Sequence, residues 1–125
     1  MNYFRIFSDE VGHSHISEEV MVMLPFTDSE GAHGLASDLI KSTGIIFRQS
    51  AVGYKLDWHC APRRQLLVGI SGITRIETSD GSTVDLNPGD IALAEDLTGF
   101  GHKTSSIGDN PRTYAVIPLE DKISK

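Results

Sequence analysis

Short apolar runs recur along the chain, each followed by residues that favour turns. Ile73–Thr78 mixes β-branched apolar residues with polar ones, as a half-buried strand does. Asp80 and Gly81 then supply a hairpin turn, and Thr83–Leu86 returns as the partner strand. Turn residues also bound three other short runs, at residues 65–70, 91–94 and 113–117. Many short strands separated by turns predict an all-β sandwich or barrel.

The same pattern divides the chain into three parts. Residues 1–42 are less regular, with a strand predicted at residues 19–24 and loop-like sequence after Pro25, and we expect them to pack on the barrel as an extension. Residues 43–118 hold most of the apolar runs and form the predicted barrel, and residues 119–125 are a polar tail. A chain of 125 residues has room for one compact domain.

Charge and cysteine content narrow the functional classes. Seventeen acidic side chains against eleven lysines and arginines give a net charge of −6, and without a basic run nucleic-acid binding is not expected. No stretch approaches the roughly 20 apolar residues of a membrane span, so membrane insertion is not expected either. Cys60 is the one cysteine and cannot form an internal disulfide, which favours a reducing compartment, the cytoplasm.

One segment carries a specific spacing. Gly53 is followed after five residues by His59, then Ala61, Gln65 and finally Gly72. This spacing resembles the first motif of the cupin superfamily, in which a glycine precedes two histidines and a glutamate and a second glycine closes a hairpin. The two glycines and the first histidine match in register. Ala61 stands at the second histidine position and Gln65 at the glutamate position.

A second segment resembles the second cupin motif. Pro88, Gly89 and Asp90 form a turn, and His102 follows after a loop, residues 95–101, that is about two residues longer than is usual in the family. The two resemblances together cover residues 44–118. They imply a double-stranded β-helix, or jelly-roll barrel, with a pocket in its mouth, and they imply a homodimer. The predicted strand near Met21–Leu24, outside the matched region, is the candidate for the dimer contact.

The resemblance also implies a metal site. Positions i, i+2 and i+6 of one strand point to the same face, so His59, Ala61 and Gln65 would share a face, and His102 from a facing strand would meet them. Imidazole and carboxylate ligands suit Zn, Ni, Fe or Mn. Because alanine cannot ligate and an amide is a weak ligand, the candidate metal ligands are His59, Gln65 and His102.

Three further residues bear on the pocket. Arg63 faces it if the strand from His59 continues unbroken, and its guanidinium would then bind a carboxylate or a phosphate. The alternative is a structural ion pair between Arg63 and one of the many acids. Glu95 and Asp96 carry carboxylates into the long loop, and the pattern does not give the direction of either side chain.

These observations leave two main functions open. The first is a small cupin-like protein that binds a small polar or anionic metabolite through Arg63, His59 and His102. A divalent metal would then give it oxygenase, isomerase or lyase chemistry by analogy. The alternative is a non-catalytic, metal-free binding or sensor module, which the losses at Ala61 and Gln65 favour. A third interpretation is a structural dimer with a vestigial pocket.

Overall fold

In the computed structural model, which describes residues 1–120, the chain forms β-strands joined by turns and loops. The strands are β1 (Asn2–Ser8), β2 (Ser14–Val20), β3 (Leu24–Thr27), β4 (His33–Ala36), β5 (Ile46–Ser50), β6 (Lys55–His59), β7 (Gln65–Ser71), β8 (Ile73–Thr78), β9 (Thr83–Leu86), β10 (Ile91–Ala94), β11 (His102–Ile107) and β12 (Arg112–Pro118). The predicted all-β class is confirmed, and both strands predicted around the Asp80–Gly81 turn are present.

The strands form two main sheets and one separate hairpin. The larger sheet has the order β2-β1-β10-β7-β12-β5, the smaller sheet has the order β6-β11-β8-β9, and β3 pairs with β4. In the larger sheet β1 runs parallel to β10, and the other neighbouring strands are antiparallel. Within the described residues no strand is shared between the two main sheets, so the jelly roll is an open sandwich and not a closed barrel.

Both faces of the larger sheet bury apolar side chains. On one face Ile6 and Ala92 pack against Ile76 and Leu86 of the smaller sheet. On the other face Tyr3, Leu66 and Leu93 pack against Met21, which follows β2 in the chain. Because the second face is covered by loop segments, the sandwich has a core on each side of its central sheet.

The N-terminal residues are built into this sheet. β1 lies between β2 and β10 and contributes Tyr3 and Ile6 to the two cores, so residues 2–20 are more than a covering extension. The strand predicted at residues 19–24 is interrupted, since β2 ends at Val20 and Met21 is buried. The proposed boundary at residue 42 stays a prediction.

One sequence expectation about the site is wrong. His59 ends β6 and Gln65 begins β7, and the chain between them is not a strand. The parity argument that placed His59, Ala61 and Gln65 on a single strand therefore fails. Residues 60–64 form a connection that is tied to the loop after β10, because the amide of Ala61 donates to the carbonyl of Asp96 at 3.0 Å.

The part of the chain from residue 1 to residue 120 contains no helix with the length and apolar character that crossing a bilayer requires.

Candidate functional site

A cavity of about 300 Å³ lies between the two main sheets and is lined by residues of both. His59 and His102 reach it from the smaller sheet, and Gln65, Arg112 and Tyr114 reach it from the larger one. A larger, more open hollow of about 490 Å³ lies against the smaller sheet, but neither of these histidines lines it. The cavity between the sheets is therefore the candidate site.

The two motif histidines meet as a direct cross-strand pair. β6 and β11 are antiparallel, and their register places His59 opposite His102, with the ring centroids 4.4 Å apart and the ring planes at 57°. Gly101 makes this approach possible. Its φ is +72°, and a Cβ at this position would overlap the carbonyl group of His59. The predicted meeting of two histidines that are distant in sequence is thus present in the fold.

Each imidazole is held through Nδ1. In His59, Nδ1 lies 2.7 Å from the carbonyl oxygen of Asp57, which can only accept, so Nδ1 carries the proton. In His102, Nδ1 lies 2.5 Å from Oδ2 of Asp96, whose side chain is fully buried. Both rings are therefore oriented by a neighbour, and Nε2 of each is the atom available to a ligand.

The surroundings of His59 favour its neutral form. Burial lowers the pKa of His59, and the nearby His102 and Arg112 lower it further when they are charged. The hydrogen bond to the Asp57 carbonyl and the charge of Asp96 act in the opposite direction without reversing the shift. At neutral pH the Nε2 atom of His59 is thus a hydrogen-bond acceptor and a potential ligand atom.

The other two motif positions supply few donor atoms for a metal ion. Ala61 lines the cavity and has no donor atom. Gln65 also lines it, but its Oε1 already accepts a hydrogen bond from Nη1 of Arg63 at 2.8 Å. Among residues 1–120 no group of three or more histidine, cysteine, aspartate or glutamate side chains converges on one point. This donor set does not fit a resident transition metal, which takes three or more strong protein ligands.

Neither loop carboxylate lines the cavity. Asp96 sits behind His102 and orients it, as described above. Glu95 lies between two arginines, with Nε of Arg5 at 2.6 Å from Oε1 and Nε of Arg64 at 2.5 Å from Oε2. Asp96 thus supports the site indirectly, and Glu95 ties β1 to the connection between β6 and β7.

Arg63 does not face the cavity. It is exposed and absent from the lining, because the strand that was expected to carry it ends at His59. The expectation that Arg63 faces the pocket is therefore wrong, although its guanidinium approaches the site indirectly through the bond to Gln65.

The arginines that do line the cavity are Arg48 and Arg112, which sequence reasoning missed. Arg112 is only 5% exposed. Its Nη1 donates to Oγ1 of Thr74 at 3.0 Å and its Nη2 to the hydroxyl of Tyr114 at 3.3 Å. The available signal was an arginine at the start of an apolar run, two residues before Tyr114 and so on the same strand face.

The two main sheets enclose the cavity, and His59 meets His102 on its wall. The architecture is cupin-like. Among solved structures, a cupin domain from Bordetella pertussis is 15% identical, with a TM-score of 0.48, covering 82% of this chain and 98% of that one. A protein of unknown function from Streptococcus pyogenes is 16% identical, with a TM-score of 0.45 and coverages of 83% and 79%. A protein from Neisseria meningitidis is 16% identical, with a TM-score of 0.44 and coverages of 61% and 72%.

Structural similarity at these identities and TM-scores identifies neither a ligand nor an activity. No family model matches this cupin-like chain. No curated protein matches it either.

Proposed function

We propose that the protein binds a small polar metabolite in the cavity between its sheets, without a resident metal, and that His59 and His102 contact the metabolite through Nε2. The pairing of two imidazoles on the cavity wall, each anchored at Nδ1, is the observation that carries this proposal. Pre-oriented side chains lose little conformational freedom on binding, which favours ligand affinity. A cavity of about 300 Å³ suits a ligand of metabolite size.

Two contacts favour a metal-dependent function as a second candidate. A metal-bound histidine usually donates its other ring N–H to a carboxylate or carbonyl, and His102 and His59 both do so. His59, His102 and Gln65 would hold a divalent ion, and Gln65 would then have to give up its hydrogen bond from Arg63. Zn, Ni, Fe or Mn would then supply a Lewis acid for oxygenase, isomerase or lyase chemistry.

Metal content and ligand binding together separate these candidates. The untagged protein is purified without chelator and its metals are counted by elemental analysis. The proposal expects far less than one metal per chain, and it expects saturable shifts of the imidazole Nε2 resonances when small polar metabolites are added. Stoichiometric Zn, Ni, Fe or Mn that survives dialysis would contradict it and support the second candidate.

Two variants test the role of the histidine pair. We expect His102→Gln to weaken binding about tenfold, because one hydrogen bond to the ligand is lost. His33→Gln is the matched control, since His33 is exposed in β4 and does not line the cavity. Equal affinity in both variants would show that the imidazole pair does not contact the metabolite.

We further propose a homodimer in the cytoplasm. Cys60 is a free thiol, as a reducing compartment would keep it. The edge strand β5 exposes Ile46 and Phe47, and among the described strands it has a neighbour on one side only. An open apolar edge of this kind is commonly covered by another chain.

A further inference from the structure

We propose that Arg112 and Arg48 form an anion subsite in this cavity and that the bound metabolite is a small carboxylate. This inference rests on the proposed function, because it names the chemical class of ligand for the same cavity.

Arg112 is a buried cation without a counter-charge. Arg112 is 5% exposed. No carboxylate of the described residues lies within ion-pair distance of its guanidinium. The neutral hydroxyls of Thr74 and Tyr114 occupy two of its donors, and the Nε–H is buried with no partner. Burying an unpaired charge is costly, so such a group is normally compensated by a partner. The rings of Tyr114 and Tyr54, whose centroids lie 4.3 and 5.5 Å from the guanidinium carbon, stabilise the cation but carry no formal charge, so a ligand anion fits as the missing counter-charge.

Three other arginines of the chain have their positive charge compensated by an acidic side chain. Arg5 and Arg64 share Glu95, and Arg75 pairs with Asp85 through two hydrogen bonds of 2.7 and 2.9 Å. Each of these three arginines is more exposed than Arg112 and lies beside an acid. Arg5, Arg64 and Arg75 are thus paired with acids, whereas none of the described residues that line the cavity is acidic.

Arg48 adds a second positive charge at the same place. It lies on β5 directly opposite Tyr114 of β12, and Arg112 is two residues from Tyr114, so the three side chains share one face of the larger sheet. Arg48 is exposed and lines the cavity, which places it between the solvent and the buried guanidinium. Burial lowers the pKa of Arg112, the nearby Tyr114 and Tyr54 act in the opposite direction, and the charge of Arg48 adds to the lowering.

The rest of the lining is consistent with an oxyanion. Among residues 1–120, none of those that line the cavity is acidic, so no described carboxylate in its wall repels an anion. A planar guanidinium presents parallel N–H groups that match the two oxygens of a carboxylate. Hydroxyls of Tyr54, Tyr114 and Thr104 also line the cavity and can hydrogen-bond a second polar group of the ligand. The small volume favours a compact carboxylate over a nucleotide-sized anion.

The test follows Arg112 and the two histidines separately in one NMR titration of the full chain. Acetate, malonate and inorganic phosphate are added at constant ionic strength, with chloride as the reference anion. We expect acetate or malonate to shift the Arg112 Nε–H resonance saturably, while chloride does not. We expect Arg112→Leu to weaken carboxylate binding by about tenfold to a hundredfold and Arg48→Gln by several-fold.

The matched control is Arg75→Gln, because Arg75 is an exposed arginine outside the cavity lining that pairs with Asp85, and we expect it to leave binding unchanged. If Arg112→Leu does not fold, the exposed Arg48→Gln and the wild-type Arg112 signal decide the question. Saturable binding of phosphate alone, or an unchanged affinity in Arg48→Gln together with an unmoved Arg112 signal, would overturn the carboxylate subsite.

The two proposals fail in different ways. Neutral polar probes that shift both imidazole Nε2 signals, with no carboxylate shifting Arg112, would overturn the anion subsite and leave the proposed function standing. Carboxylates that shift Arg112 but leave both imidazoles unmoved would support the subsite and contradict the role given to the histidines.

Discussion

His102 owes its orientation to a side chain that no motif points to. Asp96 is fully buried and its Oδ2 accepts the Nδ1 proton of His102, while Oδ1 has no partner among the described residues. A buried carboxylate beside an imidazole fixes the tautomer and so determines which nitrogen a ligand meets. This contact gives the long loop before β11 a role beyond delivering its histidine.

Restoring the two missing ligand positions is expected to create a metal site. Ala61 and Gln65 both line the cavity with His59 and His102, although they lie on different elements. The double variant Ala61→His with Gln65→Glu would offer three imidazoles and one carboxylate. We expect its affinity for Zn or Ni to exceed that of the wild type by at least about a hundredfold, corresponding to two added ligands. Isothermal titration calorimetry measures this difference.

Gln65→Glu alone is the control for that experiment, because it adds a carboxylate and leaves Ala61 in place. A folded double variant that binds metal no better than the wild type would show that these four positions do not converge.

At the scale of single residues, the sequence predicted part of the candidate site. The spacing around His59 and His102 predicted their meeting, because a family motif ties each to a turn of fixed geometry. Arg63 was misplaced because its direction depended on strand continuity, which the connection between β6 and β7 interrupts. Arg112 could not be assigned, since its importance lies in the absence of a carboxylate nearby, and only the fold shows which acids are near.

At the scale of elements, the approach of β6 to β11 depends on a glycine. Gly101 has a left-handed φ of +72°, and a side chain there would collide with the backbone of His59 and Cys60. We expect Gly101→Ala to lower the free energy of unfolding by more than about 3 kcal/mol, since both the clash and the backbone strain must be relieved. Thermal or urea unfolding measures the loss.

Gly81→Ala separates the two causes. Gly81 has a φ of +89° in the turn between β8 and β9, but a Cβ there would meet nothing within 4 Å. We expect a loss of about 1–2 kcal/mol from the backbone conformation alone. Equal losses in the two alanine variants would contradict the close approach at the histidine pair.

A second link between elements is expected to depend on pH. His15 in β2 lies between Asp9 and Asp80, with its Nε2 at 2.7 Å from Oδ2 of Asp9 and its Nδ1 at 3.1 Å from Oδ2 of Asp80. The hydrogen bond to Asp9 and the charges of both acids raise the pKa of His15 above its usual 6.5, although burial acts against the shift. The folded protein therefore holds this proton more tightly than the unfolded chain.

The direction of the effect on stability follows from this raised pKa. The contribution of His15 is fully present below pH 6.5 and disappears as the pH rises through the higher value of the folded state. We expect the Tm difference between wild type and His15→Gln to be larger at pH 6 than at pH 8.5. His33→Gln serves as the control, and a difference independent of pH would contradict the ion pair.

The strands themselves were the most predictable part of the fold. β8 and β9 were predicted because a local signal, the Asp80–Gly81 turn, fixes their pairing. The parallel pairing of β1 with β10 joins segments almost ninety residues apart, and such a contact leaves no local pattern. This is why the N-terminal strands were predicted as an extension and not as part of the main sheet.

For the whole molecule, net charge and local charge differ in sign. The chain carries a net charge of −6, yet the cavity wall offers two arginines, two histidines and no acid among its lining residues. A small anion is weakly repelled at long range and attracted at short range, so affinity depends on local contacts more than on steering. Raising the ionic strength should therefore change the rate of carboxylate association little.

The homodimer remains a prediction at this scale. Phe47 is 71% exposed on the edge strand β5. We expect Phe47→Lys to shift a dimer to a monomer in sedimentation velocity, because a buried lysine would oppose association. Val11→Lys is the matched control, since Val11 is 76% exposed in the turn between β1 and β2. A wild type that sediments as a monomer at high concentration would rule the dimer out.

The position of β12 has a consequence for how the protein is made. Of the strands that the structure describes, it is the last to leave the ribosome, yet it lies inside the larger sheet between β7 and β5. Until β12 arrives, β5 has no neighbour in the sheet, and Arg112 is absent from the cavity. A nascent chain stalled before residue 112 would therefore expose Phe47 and Ile46 to chaperones, and ligand could assist folding only after synthesis of the sheet is complete.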